Sequence, residues 1–291
     1  MSSRRTGLLQ GSLAYALWGL VAAFWKLLAA VSPIELVAHR AVWGLVAFVA
    51  MTFAFGHGPV LRAALRDLRL VGVMLVSATL LATNWCIFVW ATINGHLLDA
   101  SLGYFINPLV SVALGTIVLG ERLRRLQWVA IAVAATGVAL LAFRVGHVPW
   151  IALTLAASFG LYGLVRKTAR VEALVGSTIE TLLMAPVALI YLASLGGGVA
   201  LHGDGGTTAL LIGSGLVTAV PLVLFTSATR LLPLSTIGFL QYLTPTGQFL
   251  LAVLAYGEPF AHDRVIAFVW IWVGLVVFSI DLVNAGRSQA R

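Results

Sequence analysis

Ser101 to Glu121 reads SLGYFINPLVSVALGTIVLGE, an apolar helix with Asn107-Pro108 inside it and Gly120-Glu121 closing it. A second, degraded copy runs from Gly238 to Glu258. Pro108 and Pro245 lie 137 positions apart, as do Gly120-Glu121 and Gly257-Glu258. The same offset carries Phe88 to Phe225, Ala91-Thr92 to Ala228-Thr229, and Gly137 to Gly274. Self-similarity at half the chain length, with a proline-interrupted helix in each half, points to a membrane transporter with its site between the halves.

Composition agrees. Of 291 residues 60% are hydrophobic and only 10% charged, against roughly 25% charged in a soluble domain. Lipid must therefore be most of the solvent. The net charge of +8 could suggest nucleic acid, but the lysines and arginines sit between apolar runs and read as membrane orientation. Cys86 is alone, which excludes a disulfide or a cysteine-rich metal site. SSRRTGLL at the start is not read as an export signal, because the apolar run after Arg5 is too long and more spans follow.

Crossing about 30 Å of hydrocarbon takes about 20 residues. Segments 7–29, 34–55, 70–92, 100–119, 127–144, 149–167, 174–194, 209–229, 234–256 and 265–283 qualify. With both termini cytoplasmic, only Lys26, Arg40, Arg144 and Arg264 of the 18 basic residues fall in the outer half. The predicted fold is an all-α polytopic membrane protein. Ten transmembrane helices form two inverted five-helix repeats, residues 1–146 and 147–291. The first helices of the halves align at an offset of 141, which pairs Trp18-Gly19 with Phe159-Gly160 and Lys26 with Lys167. Both lysines are expected to snorkel to the interface.

Chemistry is sparse. Pro108 and Pro245 are the predicted helix breaks, each beside a cavity that takes up the freed carbonyl. Polar groups flank both: Tyr104 and Asn107 in one copy, Gln241, Tyr242, Thr244 and Gln248 in the other. By helical rise Asn107 and Gln241 each lie about 12 Å from opposite faces and bracket the midplane. Asn84 either joins two helices or lines the cavity. Trp85, like Trp18, Trp25, Trp43 and Trp90, suits an interfacial belt or a cavity wall. Arg40, after His39, lies roughly 10 Å deep, where a charge needs water or a partner. Glu180 has the analogous depth from the other face, so a direct pair with Arg40 is not expected; each would border its own vestibule. His39 and Glu180 are the candidates for ion coupling. Glu121 and Glu258 read as loop-facing residues paired with nearby bases. Gly213-Ser214-Gly215 reads as a packing face rather than a serine nucleophile, since no histidine lies at matching depth. The sequence holds no G-x-x-x-x-G-K-[ST] loop and no metal cluster, so no ATP hydrolysis and no cofactor are expected.

The blocks LVAHR (Leu36–Arg40), Asn84-Trp85, GHLLDASLGYFINPLVSVALGTIVLGERLRRLQW (Gly95–Trp128) and PLSTIGFLQYLTPTGQFLLAV (Pro233–Val253) resemble the EamA family of the drug/metabolite transporter superfamily. The resemblance covers essentially the whole chain. It implies a permease of the bacterial inner membrane, a link to chloramphenicol sensitivity, and a cavity ringed by helices 1–4 and 6–9 with helices 5 and 10 outside. The expected function is secondary transport of a small organic metabolite or drug-like molecule by alternating access, with Trp18, Arg40, Asn84, Trp85, Tyr104, Asn107, Gln241, Tyr242 and Thr244 on the wall. Arg40 would favour an acidic substrate; the aromatic walls could equally suit a cation. The expected partners are that substrate and the lipid bilayer, with no nucleic acid and with oligomeric state open. The competing classes are a non-transporting channel or structural membrane protein and, behind these, an intramembrane enzyme.

Overall fold

Apolar runs set the helices, and capping side chains mark the start of three of them. The structure, a computed structural model, describes residues 3–94, 96–145, 149–196, 198, 203–255 and 262–288. Its helices are α1 (Ser3–Lys26), α2 (Pro33–Ala54), α3 (Gly58–Arg66), α4 (Leu68–Ile93), α5 (Leu97–Ile117), α6 (Arg125–Val145), α7 (Trp150–Thr168), α8 (Ala173–Ser194), α9 (Gly205–Leu231), α10 (Leu234–Gln241), α11 (Leu243–Leu250) and α12 (His262–Ser288), with a π-helical turn at Leu251–Ala255. Ser32 caps α2 through the Glu35 amide at 3.3 Å. Asp67 caps α4 through the amides of Arg69 and Leu70. Asp204 caps α9 through that of Thr207 at 2.7 Å. Each carboxylate or hydroxyl satisfies amides that a first helical turn leaves open.

Five helices are long and apolar enough to cross a membrane: Ser3–Lys26, Pro33–Ala54, Leu68–Ala91, Ala173–Ser194 and Gly205–Leu231. The apolar stretches Leu102–Ile117, Arg125–Leu140 and Val269–Asp281 are shorter. Every segment anticipated from the sequence falls on helix, yet the uniform ten-helix picture needs three corrections. First, 234–256 is not one helix: it breaks at Tyr242 into α10 and α11 and then unwinds into the π turn. Second, α5 runs unbroken through Pro108. Third, α3 is an additional short helix, with Leu61 and Ala64 buried and Arg62 and Arg66 exposed. Gly257-Glu258 lies outside the described residues.

The two proline sites differ for a local reason. Pro245 is the third residue of α11, where an amide would have no helical partner anyway, so the break and the proline suit each other. Gly19 on α1 faces Gly247 and the carbonyls of Leu243 and Thr244, and this lets backbone pack on the broken turn. In the first copy Gly160 meets the bulkier Val110 and Leu114 instead.

One face of the molecule carries the start of α1, the α2–α3–α4 corner, the 118–125 turn, the α7–α8 turn and the α9–α10 turn. His57 pairs there with Glu172. Call this the N-terminal face. The opposite face carries Lys26, Ser32 and the Trp90–Trp150 ring contact. Three pairs of helices that correspond in the repeat pack antiparallel. Along α5 and α10–α11, Phe105 meets Tyr242, Pro108 meets Gly238, and Gly115 meets Ser235. Along α6 and α12, Arg124 pairs with Asp281 at 2.5 Å, and Ala130 and Ala134 meet Gly274. Along α2 and α8, Thr52 bonds Thr178 at 2.8 Å, while Ala38 and Ala41 pack with Ala188 and Leu192.

Small residues allow these approaches, as membrane helices require. Gly215 makes the tightest approach to a neighbouring backbone: a Cβ there would collide with the Trp43 carbonyl and push α9 off α2. Gly215→Val should cost about 1–3 kcal/mol or more, because backbone cannot yield as a side-chain tip does. A thermal denaturation midpoint equal to that of the parent would contradict this contact.

Candidate functional site

A cavity of about 220 Å³ lies between the halves. Its wall draws on α1 (Tyr15, Trp18, Val21, Trp25), α2 (Val37, Arg40), α4 (Leu81, Asn84, Trp85, Phe88, Val89), α5 (Tyr104), α7 (Phe159), α9 (Thr218, Leu222) and α10–α11 (Gln241, Thr244, Pro245, Gln248). Among the described residues, none of α6, α8 or α12 is on this wall. The absence of α8 departs from the eight-helix ring implied by resemblance.

The floor is aromatic. Trp18 and its repeat partner Phe159 meet edge to face at 5.9 Å between ring centroids, and Phe225 contacts both, at 5.6 and 5.3 Å. Such pairs add attraction beyond burial and hold the rings at fixed angles. Tyr15 and Tyr162 complete the plug against Phe225.

Arg40 supplies the charge. Its guanidinium carbon lies 4.8 Å from the Trp25 ring centre and 4.6 Å from that of Trp85. Its Nε donates to Thr218 Oγ1 at 3.2 Å. Among the described residues no carboxylate pairs with it. Asn84 does both things the sequence allowed. It lines the cavity, and its Nδ2 donates to the Leu155 carbonyl at 3.0 Å and to Ser158 at 3.1 Å, tying α4 to α7. Thr244 Oγ1 donates to the Tyr15 carbonyl at 2.9 Å, so one more wall residue joins two helices.

Seven of the nine anticipated wall residues are therefore brought together: Trp18, Arg40, Asn84, Trp85, Tyr104, Gln241 and Thr244. Asn107 and Tyr242 are not. Asn107 is buried behind the wall and accepts from Ser111 at 3.5 Å. Tyr242 packs with Phe239, Phe278 and Phe105, and its hydroxyl donates to the Phe105 carbonyl at 3.4 Å. Of the helix-break prolines, Pro245 is on the wall and Pro108 is not; the Pro108 carbonyl faces Gly238.

His39 lies off the cavity, buried 3.8 Å from Glu35. Glu180 borders no vestibule: it is fully buried and 3.5 Å from Arg166, itself buried. The absence of an Arg40–Glu180 pair does follow the expectation. Tyr15, Phe88 and Thr218 were missed, because an aromatic or a threonine in an apolar run carries no sign of which way it points.

Two more expectations change. Glu121 is not paired with a neighbouring base. It reaches across to α10 and accepts from the amides of Leu234 (2.6 Å) and Ser235 (3.0 Å) and from the Ser235 hydroxyl (2.7 Å). Lys167 does not snorkel outward: its Nζ donates to the carbonyls of Thr229 and Leu232 at the end of α9. A carboxylate on helix-start amides and an ammonium on helix-end carbonyls are the favourable placements. Together they clamp the α9–α10 turn.

Comparison with known proteins agrees with these features. The EamA-like transporter family model matches residues 5–143. An uncharacterized transporter of Vibrio cholerae is 44% identical, over 99% of this chain and 96% of its own. Protein RarD of Escherichia coli is 42% identical, over 99% and 98%. The chloramphenicol-sensitive protein RarD of Pseudomonas aeruginosa is 32% identical, over 98% and 97%. A crystal structure at 21% identity superposes with a TM-score of 0.74 over 94% of this chain and 97% of its own, a likeness of fold. The molecule is thus of the multi-pass, helical membrane transporter class. It belongs to the EamA family of the drug/metabolite transporter superfamily, among the RarD proteins.

Proposed function

We propose that this chain is a secondary carrier of a small organic metabolite or drug-like molecule, working by alternating access in the bacterial inner membrane. Ten spans in two inverted five-helix repeats, 1–146 and 147–291, carry it, with both termini cytoplasmic. Antiparallel packing of the corresponding helices supports the inversion. The basic residues exposed on the N-terminal face, such as Arg62, Arg66, Arg69 and Arg122, support the orientation.

The observation that carries alternating access is a broken symmetry. On the opposite side of the midplane Val21, Trp25, Val37, Arg40, Trp85 and Phe88 line the cavity. Their repeat partners on the N-terminal side are Tyr162, Arg166, Thr178, Thr181, Leu222 and Phe225. All are buried, with at most 2% of each exposed, and of these only Leu222 touches the cavity. Two halves of one design in different states fit a carrier whose other conformation exchanges the roles. His39 and Glu180, also repeat partners, are the buried ionisable groups that could couple transport to protons from behind the wall.

Reconstituted protein preloaded with an unlabelled ligand should take up the labelled form against its gradient, with saturation. Flux that rises linearly without saturating would replace the carrier with a pore.

A further inference from the structure

We propose that the cavity is an organic-anion site, in which Arg40, held between Trp25 and Trp85, binds an acidic headgroup and Tyr15 and Gln241 receive a hydrogen-bonding group farther along an apolar or aromatic body. This deepens the carrier reading and rests on it for its physiological meaning.

Three observations converge. Arg40 faces the cavity with one protein hydrogen bond, to Thr218, and among the described residues no carboxylate balances it. A cation at this depth needs a counter-charge or water, and a planar guanidinium fork matches an acid group. Next, Trp25 and Trp85, two of the three indoles on the wall, already hold the protein's own cation. A ligand ammonium would meet like charge, and the wall has no aspartate or glutamate to offset it. Lastly, the Tyr15 hydroxyl and Gln241 Oε1 are buried on this wall with no hydrogen-bond partner among the described residues. Buried polar atoms are rarely left so, and two in one cavity point to a ligand group that completes them. Trp18, Phe88 and Phe159 lie on the same wall and suit an apolar body. The volume falls below the roughly 300–1,000 Å³ of drug-sized pockets, which favours a small acid.

The test uses the full chain in phosphatidylcholine nanodiscs, with tryptophan quenching and thermal shift as readouts. The probes are hydrocinnamate, phenethylphosphonate, hydrocinnamamide and phenylpropylamine, of similar body and different charge. At least one acid should bind about tenfold or more tightly than the neutral amide, with the amine weaker still. A response to both acids means the site reads charge; a response to the carboxylate alone means that it also reads planarity. Arg40→Gln should erase the preference and Arg40→Lys keep part of it. Charge selectivity of the unaltered protein decides the matter even if Arg40→Gln fails to fold. An amine or amide that binds as well as the acids, no acid response at millimolar concentration, or unchanged selectivity in a folded Arg40→Gln protein would each overturn the proposal. Acid binding without counterflow would sink the carrier reading and leave this site standing. Saturable counterflow of cations without acid binding would do the reverse.

Discussion

Glu180→Ala should lower the stability of the protein by about 3–5 kcal/mol, the largest effect expected of a single substitution here. The carboxylate is fully buried. Arg166 approaches it at 3.5 Å, Ser77 donates a short hydrogen bond, and Tyr162 donates at 3.4 Å. Arg166 has the Ala173 carbonyl at 2.7 Å as its other oxygen partner, and its Nε has none. Removing the carboxylate strands a guanidinium that cannot reach water. Thermal denaturation in detergent should show this, as should loss of the protein from the membrane fraction. Arg166→Met should cost a similar amount by stranding Glu180. The double change Arg166→Met with Glu180→Leu should recover most of the loss, because an ion pair taken from water gains little over an apolar pair of similar volume. A double variant as unstable as either single one would show that the cluster does more than satisfy itself. Glu180→Gln separates structure from coupling: it keeps most of the hydrogen bonds but cannot titrate, and transport with an unaltered pH dependence would remove Glu180 from any coupling role.

Glu121→Ala should act on the conformational balance. The side chain holds the first amides of α10 on the N-terminal face, and it does so from the other half of the chain. If the carrier opens on that side, these contacts and those of Lys167 must break each cycle. Loss of a charged cap costs about 2 kcal/mol, or about thirtyfold in the ratio of closed to open forms. A cysteine at Thr178, which is 1% exposed, introduced in a Cys86→Ser background, reports the opening. Its labelling by an impermeant maleimide from the N-terminal face should rise by about that factor when Glu121 is removed. An unchanged labelling rate would show that the turn is structural and not part of a gate.

Much of this was legible in the linear chain because a lipid solvent leaves few choices. Backbone amides must be satisfied internally, so apolar runs of about 20 residues became helices. The two repeat offsets identified which helices correspond, and the strongest polar signals, Arg40, Asn84 and Gln241, reached the cavity. What the repeat could not convey was where the two copies differ. Asn107 and Thr244 are equivalent at the 137-residue offset, yet one is packed behind the wall and the other faces the cavity. Pro108 and Pro245 read as equivalents, yet only the second sits where helix actually starts anew.

The sequence by itself determined the solvent, the apolar spans and the family, since each follows from hydrophobic length, charge placement or repeated spacing. Only tertiary structure decided that Glu180 belongs to Arg166, that Glu121 and Lys167 clamp a turn in the other half, and that one side of the midplane is packed while the other encloses the cavity. Those depend on which face of each helix meets a neighbour, and in a chain apolar on nearly every side no periodicity marks that face.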